Sequence, residues 1–263
     1  MQRRNREITI FNLSAIDLFC SGMGAIMVLM VLLMPYYKKT SPTKPSPVVE
    51  VKTPQKSSAI QVEDIDLVFV MDATMSMQDE LEAVRNGLRS IVQVLRRVSD
   101  DARVGFVAYI DREVLTSSPL LPVNRGAQGD ANMERLQKVV DGVELVGNSD
   151  WPEDVHGGLQ KAASFSWGAE ASGRRQMIVV IGDASTHAEH VEASFALARR
   201  WVGSSSRRSI SIVNTGSALD LVVNPDSAPT APYFRQLAKD GKGSYLEKQS
   251  DLIGSILDLI IVR

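Results

Sequence analysis

Three oxygen-bearing side chains at every second position, Asp72, Thr74 and Ser76 in LVFVMDATMSM, follow directly on five apolar residues that read as a buried strand. Two more aspartates stand in comparable places far along the chain: Asp183 ends MIVVIGD, and Asp150 sits in GNSDWPED ahead of a helical pattern. Carboxylates and neutral hydroxyls gathered at one point suit a hard divalent cation, and magnesium in particular takes six oxygen ligands while keeping several waters. Each residue alone also has a plainer account. Ser76 and Asp79 are spaced like a capping box, and Asp183 suits a turn after its strand.

For these segments to meet, the fold must carry the ends of separate strands to one edge. From Ile65 onward the pattern alternates in that way. IDLVFVM is a continuous apolar run, and Met77, Leu81, Val84, Leu88, Ile91, Val92, Leu95 and Val98 then recur at helical spacing. RVGFVAYI reads as a second buried strand, EVLTSSPLL as a weaker edge strand, and Met133 to Leu145 and Pro152 to Phe165 as helices. RQMIVVIG, SISIVNTG and GSYLE supply further strands, with a helix over APYFRQLAKD and a last one from Ser250 to Ile261. Strands alternating with helices predict an α/β, doubly wound, Rossmann-like domain whose mainly parallel sheet is flanked by helices on both faces. Ligands of such sheets bind beyond the carboxyl ends of the strands, near the point where strand order reverses. Asp72, Thr74, Ser76, Asp150 and Asp183 are all expected there, with Tyr109, Asp111, Trp151 and Glu153 as a partner-facing rim or simple loop packing.

This combination resembles the von Willebrand factor A (VWA) domain, whose metal-ion-dependent adhesion site (MIDAS) combines an Asp-x-Ser/Thr-x-Ser turn, a Thr or Asp in a later loop and an Asp closing a later strand. DDARVGFVAYID, NSDWPEDVHGGLQKA and GKGSYLEKQSDLIGSIL look like further segments of the family, so the resemblance covers about Val62 to Val262. It implies that Thr74 and Ser76 bind Mg2+, or Mn2+ or Ca2+, through their hydroxyls, that Asp72 and Asp183 bind directly or through water, and that a protein partner docks on the metal face. Asp150 would stand in for the family's Thr, with Ser149 as the alternative ligand. Two departures matter. Met75 occupies a position where a small Gly is common, and a third carboxylate should tighten cation binding while leaving the metal less attractive to a partner's acidic side chain.

A formal net charge of -2 gives no electrostatic footprint for nucleic acid, and the single cysteine excludes an intrachain disulfide or a Cys-based metal site. His187 and His190, three apart, lack an evident third ligand and read as surface residues. No nucleophile, oriented base or phosphate-cradling loop is legible, so catalysis is not expected. Residues 1–14 form a polar tail, 15–37 a helix long enough to span a lipid bilayer, 38–60 a Pro-, Ser- and Lys-rich spacer, and 61–263 the folded domain. Basic residues on both sides of the span leave its orientation open by charge alone.

Asp17 opens this span, and an acid there costs less than the about 2.5–3.5 kcal/mol of mid-bilayer burial. Ser14 and Asp17 are spaced like a capping pair, but Asp17, Ser21, Gly24 and Ala25 also share a helix face of the kind on which another helix packs. The stretch FNLSAIDLFCSGMGAIMVLM resembles the anchor helix of proton-driven stator subunits of the MotB, TolR and ExbD group. That resemblance implies Asp17 as proton carrier, a homodimer held in a ring of a multi-span partner of the MotA, TolQ or ExbB type, and a bacterial inner membrane with the N-terminus cytoplasmic and the VWA domain periplasmic.

Overall fold

A computed structural model describes residues 64–147, 152–168, 173–216, 228–248 and 251–261. The tail, the span with Asp17, the linker, and Ser149, Asp150 and Trp151 lie outside the described residues. Among the described residues no helix is long and apolar enough to cross a membrane.

Among the described residues six strands form one sheet: β1 (Ile65–Asp72), β2 (Ala102–Ile110), β3 (Glu113–Pro122), β4 (Arg175–Gly182), β5 (Arg208–Asn214) and β6 (Lys242–Glu247), in the order β3-β2-β1-β4-β5-β6. All neighbours run parallel except β2 and β3, which form an antiparallel hairpin with two register irregularities. The expected edge strand is therefore real, and Pro119 is tolerated in it because an edge leaves one side of the ladder unused. Strand order reverses at β1 and β4, so the ends of those two strands flank the crevice that doubly wound sheets use.

Among the described residues six α-helices cover the sheet: α1 (Gln78–Val98), α2 (Ala127–Asp141), α3 (Val155–Ala163), α4 (Val191–Gly203), α5 (Thr230–Asp240) and α6 (Leu252–Ile261). The period of two along β1 divides the core. Leu67, Phe69 and Met71 pack with α1, α2 and α6 on one face, while Val68 and Val70 pack with α3, α4 and α5 on the other. The long α1 has Asp79 and Glu80 in its first turn and Arg96 and Arg97 in its last, each charge placed favourably for the helix dipole.

Three helix expectations need correction. The helix expected over Met133–Leu145 begins at Ala127 and stops at Asp141, because its polar first turn AQGD follows Gly126 at φ 114° with no side-chain cap to announce it. The one expected from Pro152 starts at Val155, after Asp154, whose carboxylate accepts from the Gly157 N–H at 2.8 Å. Helix α4 was not foreseen at all; its buried Phe195, Ala198, Trp201 and Val202 nevertheless recur at helical spacing.

Candidate functional site

Where β1 ends, the backbone turns through a short 3-10 segment, Met75–Met77, before entering α1. Asp72 is fully buried, and one of its oxygens is occupied locally: Thr74 donates to Oδ1 from its N–H at 2.9 Å and from its hydroxyl at 2.8 Å. The Thr74 and Ser76 hydroxyl oxygens lie 3.1 Å apart. Ser76 thus sits inside the turn beside Thr74, and no side-chain cap forms at the entry to α1, so the capping-box account of Ser76 and Asp79 does not hold. The second oxygen of Asp72, Oδ2, is buried without a hydrogen-bond partner.

Asp183 follows directly on β4, the neighbour of β1, and its Oδ1 is likewise buried and unpartnered. The close approach of the two strand ends depends on Gly182. A Cβ at that position would stand 2.9 Å from the Tyr109 hydroxyl and 3.4 Å from the Asp72 Cβ. The two carboxyl groups share one site. Burial, and then the neighbouring Asp183 charge, push Asp72 up to about 7, and Asp183 is also raised, chiefly by burial, with the Ser76 hydroxyl working the other way.

Glu153 joins them from a third segment. It is 2% exposed, its Oε2 has no partner, and burial followed by the charges of Asp72, Asp111 and Asp183 push its carboxyl up to about 9. The backbone explains how it gets there: Glu153 N–H donates to Ser185 O at 3.0 Å, and Asp154 N–H to Ile110 O at 3.2 Å. On the other side of the same loop, Val146 N–H donates to Ala73 O at 3.1 Å. The loop that contains Asp150 therefore leaves from the β1 turn and arrives at the β4 turn, although Asp150 itself is outside the described residues.

Two rim expectations are overturned. Glu153 is buried beside the other acids, drawn inward by its own backbone tie to the segment after β4 and by that of Asp154 to β2. Tyr109 is fully buried and, among the described residues, the largest side chain with essentially no exposure, lying under α3 with its hydroxyl near Gly182 and the charge of Asp72 acting on it. Burial and the nearby Asp72 raise its phenol well above the ordinary range. Asp111 is at the rim, accepting from His187, whose Nε2 lies 2.7 Å from Oδ1. His187 is only 4% exposed, so the surface reading of that residue fails; His190 is half-buried, its ring stacked on His156 at 5.4 Å between centroids.

Residues 61–127, which contain β1, the Asp72–Thr74–Ser76 turn and β2, match the family model of the integrin beta chain VWA domain. Integrin beta-5 of Mus musculus is 33% identical over 64 residues, 24% of this chain and 8% of its own length. Protein BatB of Bacteroides thetaiotaomicron superposes with a TM-score of 0.51 at 19% identity, over 76% of this chain and 97% of that one. A von Willebrand factor type A structure from Catenulispora acidiphila superposes at 0.50 and 15% identity, over 72% of this chain and 39% of that one. The fold is of the VWA type. The chain spans between 8% and 19% of the length of the curated relatives that head this comparison.

The donor set of this VWA-type domain fits a hard divalent cation. Asp72 Oδ2, Asp183 Oδ1 and Glu153 Oε2 are buried oxygens with no protein partner, and two hydroxyls stand beside them. Three unpaired carboxylates in one buried place are unfavourable unless they hold protons or a cation. Among the described residues no group of three or more His, Cys, Asp or Glu side chains, Asp72, Asp183 and Glu153 included, stands close enough together to hold a metal ion without rearrangement. Sequence reasoning reached Asp72, Thr74, Ser76 and Asp183; it misplaced Glu153, for which the Pro152-Glu153 step offered no sign of burial.

Proposed function

We propose that this chain is a membrane-tethered protein-binding module whose docking face is organised by one divalent cation, Mg2+ or alternatively Mn2+ or Ca2+. The reading rests on one observation: at the switch point of the sheet, Asp72, Asp183 and Glu153 each keep a buried oxygen without a partner, their charges act on one another, and the Thr74 and Ser76 hydroxyls stand in the same turn as Asp72. Thr74 and Ser76 would supply neutral donors, Glu153, Asp72 and Asp183 charged ones directly or through water, and Asp150 a further carboxylate from the connecting loop. Bound there, the cation would lend an electrophilic contact point to a surface otherwise lined by acids. The protein groups hold its position: Thr74 fixes Asp72 through two hydrogen bonds, and Gly182 lets Asp183 approach. The match to an integrin beta domain supports protein recognition as the task. No group in the cluster is arranged as nucleophile and base, so binding without catalysis is the proposal.

Calorimetric titration of Mg2+ into the chain, with Asp72→Asn and Ser76→Ala beside it, tests the reading. One site in the wild type and a loss of binding in Asp72→Asn are expected; equal binding by all three would defeat it.

A second reading has its own observation, Asp17 at the head of an otherwise uncharged apolar run. In it the same chain is the force-transmitting subunit of a proton-driven inner-membrane complex with a multi-span partner, and Asp17 carries the proton. Asp17→Asn should then abolish function while Mg2+ binding persists; full function in that variant would remove this reading.

A further inference from the structure

We propose that the stacked rings of His156 and His190 form an acid-sensitive latch, which holds the start of α3 against the start of α4 while both imidazoles are neutral and releases it when both are protonated. The latch is independent of the cation. The chain has three histidines, and all of them meet at this one place although they come from separate segments. His156 and His190 lie 5.4 Å apart between centroids with their planes 13° from parallel, and His187 meets His190 edge-on at 6.1 Å.

Each ring of the stack sits at the positive end of a helix dipole: His156 is the second residue of α3, and His190 is the cap residue ahead of α4. Ser194 ties the two together. Its hydroxyl donates to the His190 carbonyl at 2.8 Å, so its oxygen is left to accept from His156 Nδ1 at 3.3 Å. The hydrogen of neutral His156 is thereby placed on Nδ1, and an added proton must go to Nε2. Two imidazolium rings in contact, both half-buried and both at helix N-termini, repel each other. Burial first and His190 second hold the His156 imidazole below its ordinary value of 6.5.

The surrounding charges do not relieve this. On α3, Asp154 acts on His156 in the opposite sense but more weakly, and its carboxylate is already engaged by the Gly157 N–H. In the turn between β2 and β3, Asp111 is taken by His187, whose Nε2 lies 2.7 Å from Oδ1, and Arg112 brings a positive charge 3.4 Å from His187 Nδ1. Glu189, beside His190, is exposed and lies 3.9 Å from Arg112; Glu192 is exposed in the first turn of α4, and α5 contributes the neutral Tyr233 beside Ser194. What the latch clamps is the sheet edge itself, because Glu153 and Thr186, shortly before His156 and His187, pair as a parallel bridge. Opened segments take up protons near 6.5 that the latched rings refuse, so the latch is at full strength above that value and weakens as pH falls below it.

The test uses the full-length chain in nanodiscs, without a histidine tag and with 13C-labelled histidine. Three imidazole signals are expected in a pH titration, and His156 is assigned by its absence from His156→Gln. It should titrate below 6.5 and move upward in His190→Gln. Hydrogen exchange read by mass spectrometry, with labelling times scaled for the intrinsic rate, should show residues 153–158 and 186–194 opening about five- to twentyfold more often at pH 5 than at pH 7, the range that one refused proton allows. Both glutamine variants should reduce this change, His156→Gln the more strongly. Each keeps every carboxylate, so a pH effect that persists in them belongs to the acids. Equal opening at the two pH values, a pH effect undiminished in both variants, or a His156 midpoint at or above 6.5 overturns the latch.

Discussion

Strand β1 carries two fully buried aspartates on the same face, Asp66 and Asp72, six residues and about 20 Å apart. They have opposite surroundings. At the amino end, Asp66 receives Arg103 Nε at 2.7 Å, Arg174 Nη1 at 3.0 Å and the Gly168 N–H at 2.9 Å, and Arg174 continues to Asp101. At the carboxyl end, Asp72 receives Thr74 on one oxygen, keeps the other buried without a partner, and feels the charges of Asp183 and Glu153. A buried charge needs partners, and at one end of the strand the protein provides them while at the other it provides more of the same charge. The first arrangement is a structural clasp between β1, β2 and the segment before β4. The second is complete only with protons or a cation from outside.

The two ends should therefore respond oppositely to loss of charge. Asp66→Ala strips two arginines of a shared partner and should lower stability by about 3–5 kcal/mol in urea unfolding, with Mg2+ offering no recovery. Asp72→Asn keeps the acceptor for Thr74 and removes one member of the repelling set. In EDTA at pH 8 it should raise stability by on the order of 2–4 kcal/mol, since each unit of upward pKa shift corresponds to 1.36 kcal/mol. Added Mg2+ should stabilise the wild type and leave this variant unmoved. A loss of stability in Asp72→Asn without metal would mean that Asp72 is another structural clasp.

A pH series sharpens the same contrast. Asp72 is raised from 3.8 to about 7 and Glu153 from 4.5 to about 9, so between those values the folded chain holds protons that the unfolded chain has released. Stability of the cation-free protein must then fall as pH rises, from about 4 to 7 through Asp72 and on toward 9 through Glu153. Saturating Mg2+ replaces the protons and should flatten the slope, so that the Mg2+-induced rise in thermal midpoint is larger at pH 8 than at pH 5. A midpoint in EDTA that does not move between these two pH values would contradict the buried carboxylate cluster.

The contrast between the two ends also explains what the sequence disclosed. Asp72, Thr74, Ser76 and Asp183 were legible because their signal is local, an apolar strand run broken abruptly by oxygen ligands. The sheet was legible for the same reason, since IDLVFVM, RVGFVAYI and RQMIVVIG are continuous apolar runs of strand length. Glu153 was misread because its burial is fixed by its own hydrogen bond to Ser185 and by that of its neighbour Asp154 to Ile110, both far away in the chain. The inward position of Tyr109 was within reach, since it belongs to the buried run RVGFVAYI, but its place near the end of that strand also put it at the edge where a rim was expected. His187 was hidden similarly, because the partner that buries it, Asp111, lies on another hairpin.

The smallest effect expected comes from the packing that carries Glu153 to the cluster. Helix α3 begins two residues after Glu153, and Gly158, its fourth residue, lies against the sheet; a Cβ there would stand 2.8 Å from Tyr109 Cδ1 and 2.9 Å from Val70 Cγ1. Both neighbours are buried, so neither can turn away, and Gly158→Ala must move the helix outward by several tenths of an ångström. Overpacking of this size costs about 1–3 kcal/mol, partly offset by the about 1 kcal/mol better helix propensity of Ala. The stability change should thus be near 1 kcal/mol, too small to unfold the domain. Mg2+ affinity should nevertheless weaken several-fold, because displacement of α3 takes Glu153 with it while Asp72 and Asp183, on other strands, stay in place. Urea unfolding and calorimetry on the same variant measure the two quantities separately. Unchanged affinity alongside the stability loss would place Glu153 outside the ligand set and leave the cation to β1, β4 and the loop that carries Asp150.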